Sequence, residues 1–327
     1  MEDQTSNKVD SGELAFLSRS VDNIKLEIGK VIVGQREAID LMLAALFTGG
    51  HILLEGVPGI AKTLLAKMLA KTLNTGFSRI QFTPDLMPTD IVGTSVFNLK
   101  ESEFRFRPGP VFSNIILIDE INRSPAKTQA ALFELMEERQ VSVDGTTYPM
   151  AFPFIVMATQ NPIEQEGTYR LPEAQLDRFQ FKIIMQYPDL DEEKKILRRF
   201  NNDFSANVIK DVHPVLQADD IKKCMGIVER IYIKEDLIDY VAHIILHTRT
   251  HGDLFLGASP RASLAILKSA KAFAAMAGRE FVTPDDIRAV ADAVLNHRII
   301  PSPEKEMEGI TSRDIIKEII ERIDVPR

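Results

Sequence analysis

HILLEGVPGIAKT, residues His51 to Thr63, decides how this chain is read. Ile52, Leu53 and Leu54 form a short apolar run and predict a buried strand, and Gly56, Pro58 and Gly59 punctuate a loop. Lys62 and Thr63 open a helix that continues as LLAKMLAKTL, with apolar side chains at helical spacing. A loop of this kind, running through Gly56, Val57, Pro58, Gly59, Ile60 and Ala61, wraps backbone N–H groups around phosphate oxygens, and the helix N-terminus adds its partial positive charge. Lys62 is placed to reach the β- and γ-phosphates, and the Thr63 hydroxyl to bind Mg²⁺. Ala61 departs from the strict phosphate-loop pattern, which has Gly immediately before the Lys. Ala accepts right-handed geometry and resists positive φ. The phosphate reading therefore expects position 61 to lie inside the helix. The competing reading is a plain strand–turn–helix with a stray Lys, and the order of the parts favours phosphate.

Moving outward, the chain of 327 residues is long enough for two domains. Its 45% hydrophobic and 26% charged content is that of a soluble globular protein. The formal net charge of −8 disfavours a nucleic-acid binder, which usually carries a basic excess. Cys224 is the only cysteine, so no intramolecular disulfide forms, and it reads as a small core residue. The polar, acidic start is no signal peptide, and no apolar run is long enough for a membrane. A cytoplasmic location is expected.

Residues 1–12 are expected to be disordered, 13–188 to form an α/β nucleotide-binding domain, and 189–327 a smaller helical lid. The first part has an amphipathic helix from Leu14 to Ile32 and a second from Glu37 to Phe47, stopped at Gly49-Gly50. Strands are predicted at 77–82, 114–120, 154–158 and 179–184. Continuous apolar strands of this type belong to parallel sheets covered on both faces. Hairpins are predicted near 95–106 and at 141–148, the latter turning on Asp144-Gly145. Ser124-Pro125 reads as a capped helix start. After Pro188 helical patterns follow one another, with starts at Ser259-Pro260 and Thr283-Pro284 and a stop at Gly278.

The chemistry-bearing residues cluster by expected position. Asp119 and Glu120 end the run Ile115-Ile116-Leu117-Ile118. In open parallel sheets ligands bind at the carboxyl ends of strands. Asp119 there suits Mg²⁺ held through water, and Glu120 suits a water aimed at the γ-phosphate. Asn161, in ATQNP, could fix that water from the other side, although Asn-Pro is also a turn signal. Arg178 ends a short helix, and Arg261 sits in the first turn of another, where a cation is mildly unfavourable and so invites a functional account. His243, His247 and His251 fall at helical spacing and could line a metal site, but a polar helix face is the better reading. Glu137-Glu138 and Glu192-Glu193 read as solvated charge. Phe104, Phe106 and Phe112 read as core rather than as a partner-binding tip.

GVPGIAKT, IILIDEINRSPAKTQAALFELMEERQV, ATQNP, RLPEAQLDRF and SPRAS, in this order, resemble the MoxR family of AAA+ ATPases from about Leu14 to the last helices. That family typically has Ala before the Lys. The resemblance implies an α/β P-loop fold with a central parallel sheet and a smaller all-helical lid. It implies ATP and Mg²⁺ as cofactors, with Gly56 to Thr63 as Walker A, Leu64 following it, and Asp119 and Glu120 as Walker B. It further implies Asn161 as sensor 1, Arg178 as arginine finger and Arg261 as sensor 2 at the nucleotide, with Val33 and Gly34 beside the adenine. ATP hydrolysis in a ring, a hexamer, follows from the resemblance. So does a chaperone-like role in maturation or metal insertion, with a von Willebrand factor A-type partner and a client complex. A DNA-acting motor related to replicative helicases is the alternative, and the net charge speaks against it. A nucleotide-dependent scaffold without turnover is disfavoured by the complete residue set. The loop after the second strand lacks the aromatic–apolar–Gly signature of threading unfoldases.

Overall fold

The computed structural model describes residues 9–162, 169, 171–201 and 207–325. In chain order, α1 (Ser11–Gly29) and α2 (Arg36–Thr48) lead into β1 (Ile52–Glu55) and α3 (Lys62–Thr72). Next come β2 (Phe77–Gln81), α4 (Pro88–Val92), the hairpin of β3 (Gly93–Asn98) and β4 (Glu103–Pro108), and β5 (Ile115–Asp119). Then follow α5 (Ala126–Glu138), the hairpin of β6 (Gln140–Val143) and β7 (Thr146–Pro149), β8 (Ile155–Gln160), α6 (Glu173–Leu176) and β9 (Phe181–Ile184). The remainder is α7 (Leu190–Phe200), α8 (Ala218–Arg230), α9 (Glu235–Thr250), β10 (Leu254–Leu256), α10 (Pro260–Met276), α11 (Pro284–Leu295), β11 (Ile300–Pro301), α12 (Pro303–Met307) and α13 (Ser312–Arg322).

Five strands form one parallel sheet in the order β2-β5-β8-β1-β9. Alternation along each strand sends side chains to opposite faces. Ile52, Leu54, Ile115, Leu117, Ile155 and Met157 enter one apolar cluster, whereas Leu53, Ile116, Ile118, Val156 and Ala158 enter the other with Leu132 and Met136 of α5. Both faces are therefore covered, as the unbroken apolar runs predict. The first cluster continues without a break through α1, α2 and α3 into α8, α9, α10, α11 and α13. The helical part shares its core with the sheet.

Several expectations need correction. Asp10 caps α1 through a reciprocal bond with Glu13 and Val9 is buried, so order begins earlier than residue 12; residues 1–8 lie outside the described part. Ser124 does not cap α5: its hydroxyl is buried without a hydrogen-bond partner, and the cap position is Pro125. The region after Pro188 contains the short antiparallel pair β10 and β11, too brief for periodicity to reveal. The α6 helix ends at Leu176, which leaves Arg178 just beyond it. Asp144 and Gly145 both take positive φ, 49° and 79°, as their two-residue hairpin turn requires.

Candidate functional site

The topology gathers one set of polar groups at the carboxyl edge of the sheet. Glu55 pairs with Gln160, Gln81 pairs with Asp119, and the Gly56 N–H donates to Gln160 O at 3.3 Å. The loop after β1, the Asp119-Glu120 pair after β5 and Asn161 after β8 consequently leave adjacent strands on one edge. With β8 lying between β1 and β5, the loop and the carboxylates stand two strand spacings apart, about 10 Å.

The loop fits a phosphate. Gly59 has φ 88°, a turn that L side chains resist, and its Cβ position faces open space. Lys62 begins α3, and its Nζ folds back onto the carbonyls of Gly56 and Val57, so the ammonium sits over the loop. Ala61 overturns an expectation: it lies outside the helix, at φ 65° and ψ 24°, in the left-handed region. The loop must reverse direction before α3 whichever residue stands there, so Ala61 carries a backbone conformation that favours glycine.

The acidic pair is supported by groups that motif reading missed. Asp119 is 7% exposed and accepts from Thr159 Oγ1 at 3.1 Å, while Arg79 pairs with its other oxygen. Thr159 Oγ1 in turn accepts the Glu120 N–H at 3.0 Å. Glu120 also adopts positive φ, 58°, and its Oε2 accepts from Gln81 Nε2 at 2.8 Å and pairs with Arg123 Nε at 3.0 Å. A strained backbone at a polar edge is a common mark of a functional position. Arg79 and Gln81 stand two apart on β2, and their shared face on a strand paired with β5 was the available signal. Asn161 is buried at the same edge.

Val33 and Gly34 lie between α1 and α2. Gly34 has φ 73°, and a Cβ there would meet the Glu192 carboxylate at 2.6 Å. Glu192 is therefore not simply solvated: it accepts from the Asp189 N–H at 3.2 Å and rests on Gly34.

The opposite edge holds a second set. His51, just before β1, is buried; it accepts from the Val156 N–H at 3.0 Å and donates to Met136 O at 3.0 Å. Burial pushes its pKa down to about 4. His51 thereby fixes the end of α5 and presents Glu137. That residue, expected as solvated charge, accepts Arg178 Nη1 at 3.2 Å on Oε2 and Arg261 Nη2 at 2.8 Å on Oε1. Arg178 also donates to Phe133 O at 3.0 Å. Arg261, expected at the nucleotide, is held on Glu137 within this chain. Because the Gln180 N–H donates to His51 O, the Arg178 segment stands at the start of β1, and the phosphate loop at its end. Four residues of strand separate them by about 13 Å. The cleft here, about 270 Å³, is lined by Arg139, Arg178, Arg261, Lys268 and Arg298 against Glu137 and Asp177, an excess of positive charge.

Other expected groups disperse. His243 and His247 are exposed, and His251 stands instead beside Asp253 and Glu318, so the three histidines form no ligand set. Phe106 and Phe112 pack on Tyr148 of the second hairpin, with Phe106 and Tyr148 stacked at 4.2 Å. Phe104 does not follow them: it is 73% exposed beside Phe97.

Residues 51–181 match the ATPase family associated with various cellular activities (AAA), and residues 246–319 match the AAA lid domain. The chain is 41% identical to Chaperone MoxR1 of Mycobacterium tuberculosis over 97% of this chain and 84% of that protein. It is 31% identical to Protein MoxR of Methylorubrum extorquens over 92% and 93% of the two chains. A solved structure from Cytophaga hutchinsonii superposes with a TM-score of 0.89 at 44% identity and covers 97% of this chain and 98% of its own.

Proposed function

Because the chain belongs to the MoxR family of AAA+ ATPases, we propose that it hydrolyses ATP at sites shared between adjacent subunits of a ring, a hexamer, and uses that cycle to remodel a partner protein complex. One observation carries this reading. Lys62, Asp119 and Glu120 occupy the carboxyl edge of the sheet, whereas Arg178 and Arg261 meet at the opposite edge on Glu137. No single subunit brings the two sets together. A ring in which the cationic edge of one subunit faces the phosphate loop of the next would unite them.

In that site the N–H groups of Gly56 to Ala61 and the Lys62 ammonium hold the phosphates. Thr63 and Asp119, the latter in exchange for its pairing with Arg79, would hold Mg²⁺, which would supply charge neutralisation at the phosphates. Glu120, released from Gln81 and Arg123, orients the attacking water, with Asn161 on its other side. The neighbour's Arg178 and Arg261 stabilise the charge that spreads over the transferring phosphoryl group. Val33 and Gly34 flank the adenine. A chaperone role is supported by the name of the Mycobacterium tuberculosis relative. Maturation or metal insertion, with a von Willebrand factor A-type partner, is the finer form of this proposal.

The test is complementation. Glu120→Gln and Arg178→Ala subunits are each expected to bind ATP and fail to turn it over. Co-assembled rings are expected to regain phosphate release, because some interfaces receive both wild-type residues. Mixed rings that remain inactive would refute the shared site. Proteins that co-purify with the Glu120→Gln ring then identify the client.

A further inference from the structure

The three residues that follow α11, Asn296, His297 and Arg298, grip the stretch that carries Arg178. Arg298 is a buried cation with its side chain 3% exposed. Its Nε donates to Asp177 Oδ1 at 2.7 Å, its Nη2 to Asp177 O at 3.1 Å and Phe179 O at 2.6 Å, and its Nη1 to Gln180 O at 3.1 Å. His297 is buried, which pushes its pKa well below the usual range; its Nε2 lies 3.0 Å from Phe179 O and its Nδ1 3.3 Å from Asn296 Oδ1, and the neutral ring donates its one proton to one of these two oxygens. Asn296 Nδ2 donates to Lys182 O at 3.1 Å. From the other side, Ser259 Oγ donates to Asp177 Oδ2 at 2.8 Å, and Gln180 Nε2 donates to Ser269 Oγ at 2.8 Å.

Helical-part residues therefore bind positions 177, 179, 180 and 182, on both sides of Arg178. Asp177 is the joint. One oxygen takes Arg298, and the other takes Ser259, which caps α10 two residues before Arg261. A guanidinium forks over several acceptors in one plane, which an ammonium cannot reproduce, so Arg298 fixes orientation as well as contact.

We propose that Asp177 and Arg298 are positioning residues of the shared site: they join Arg178 and Arg261 into one fork braced between the sheet and the helical part of its own subunit. The inference rests on the trans reading above. It adds that the brace from the helical part, together with α5 and the start of β1, sets where both arginines stand, so loosening it misplaces them at the neighbour's phosphate.

The experiment measures ATPase kinetics and ring assembly of Asp177→Asn, Arg298→Lys and Ser259→Ala. The first two keep the shape or the charge of the buried pair. Ser259→Ala removes one partly exposed hydroxyl and guards against a failure to fold. All three are expected to assemble rings and to keep the KM for ATP. The kcat should fall by about 10²-fold in the first two, the scale of an ångström-sized misplacement, and by less in the third. Co-expression with Glu120→Gln should restore turnover, because that subunit donates a correctly held fork to the intact Glu120 of the variant. A merely structural defect would disturb the variant's own site and would not be rescued. Wild-type kcat in all three variants overturns the inference, as does a loss that Glu120→Gln fails to rescue while it rescues Arg178→Ala under the same conditions. If Arg178→Ala itself is not rescued, the trans reading fails and the inference falls with it.

Discussion

Arg178 and Arg261 share a single carboxylate, each guanidinium bonded to a different oxygen of Glu137. All three side chains are roughly a third to a half exposed. Pairs of that exposure contribute only about 0–1 kcal/mol, so an approaching phosphate can draw both cations away from Glu137. Glu137 holds them in place without trapping them.

If the pair acts on a neighbour, Arg261→Ala should behave like a finger variant and not like a loss of cis binding. Titration with a fluorescent ATP analogue should give an unchanged Kd, while turnover falls, by up to the 10³–10⁵-fold range typical of arginine fingers. Addition of Glu120→Gln subunits should restore part of the turnover. A weakened Kd with no rescue would place Arg261 on its own nucleotide.

Lys62→Ala tests the phosphate loop itself. The ammonium now rests on the Gly56 and Val57 carbonyls and would exchange them for phosphate oxygens. Charge-assisted bonds of this type contribute about 1.5–3 kcal/mol each, so ATP affinity should fall by at least about 10²-fold. Unchanged affinity would remove the loop from the site.

Ala61 is held at φ 65°, where an L residue is strained by about 1–2 kcal/mol. Ala61→Gly relieves that strain but loosens the unfolded chain, so a net gain of about 0.5–1 kcal/mol is expected in urea unfolding, with ATP binding retained. A loss of stability would show that the methyl group has a packing role in the loop.

What the sequence disclosed and what it withheld divide along the range of the interactions. Strand, loop and helix at 51–63, and the apolar run into Asp119, are local patterns, and each stands where the periodicity puts it. The position of Arg261 depends on how α10 docks against α2 and on Glu137 of α5, contacts between residues far apart in the chain that no periodicity encodes. Glu137 looked like a solvated acid for the same reason, since both its partners arrive from elsewhere. Ser124 carried a capping signal that the tight turn after Glu120 overrode, and Ala61 followed the geometry of the loop against its own preference. His51 gave no signal, because a lone histidine before a strand says nothing of the α5 carbonyl it meets.

His51 makes the second edge of the sheet sensitive to pH. Its pKa is near 4 in the folded chain, because burial disfavours the charged ring, against about 6.5 for an exposed histidine. Below pH 6.5 the unfolded chain takes up a proton that the folded chain refuses until about pH 4. Stability from the neutral ring is thus fully present above pH 6.5 and is lost as pH falls toward 4, by up to about 3 kcal/mol. His297 shifts in the same direction and adds to the slope. His51→Gln keeps a donor for Met136 O and cannot titrate. Urea unfolding at a series of pH values between 7.5 and 4.5 should show wild-type stability falling more steeply than that of His51→Gln, with the carboxylates common to both cancelling in the comparison. Parallel curves would mean that His51 is protonated in the folded state, and that its bond to Met136, and with it the fixed position of Glu137, does not depend on a neutral ring.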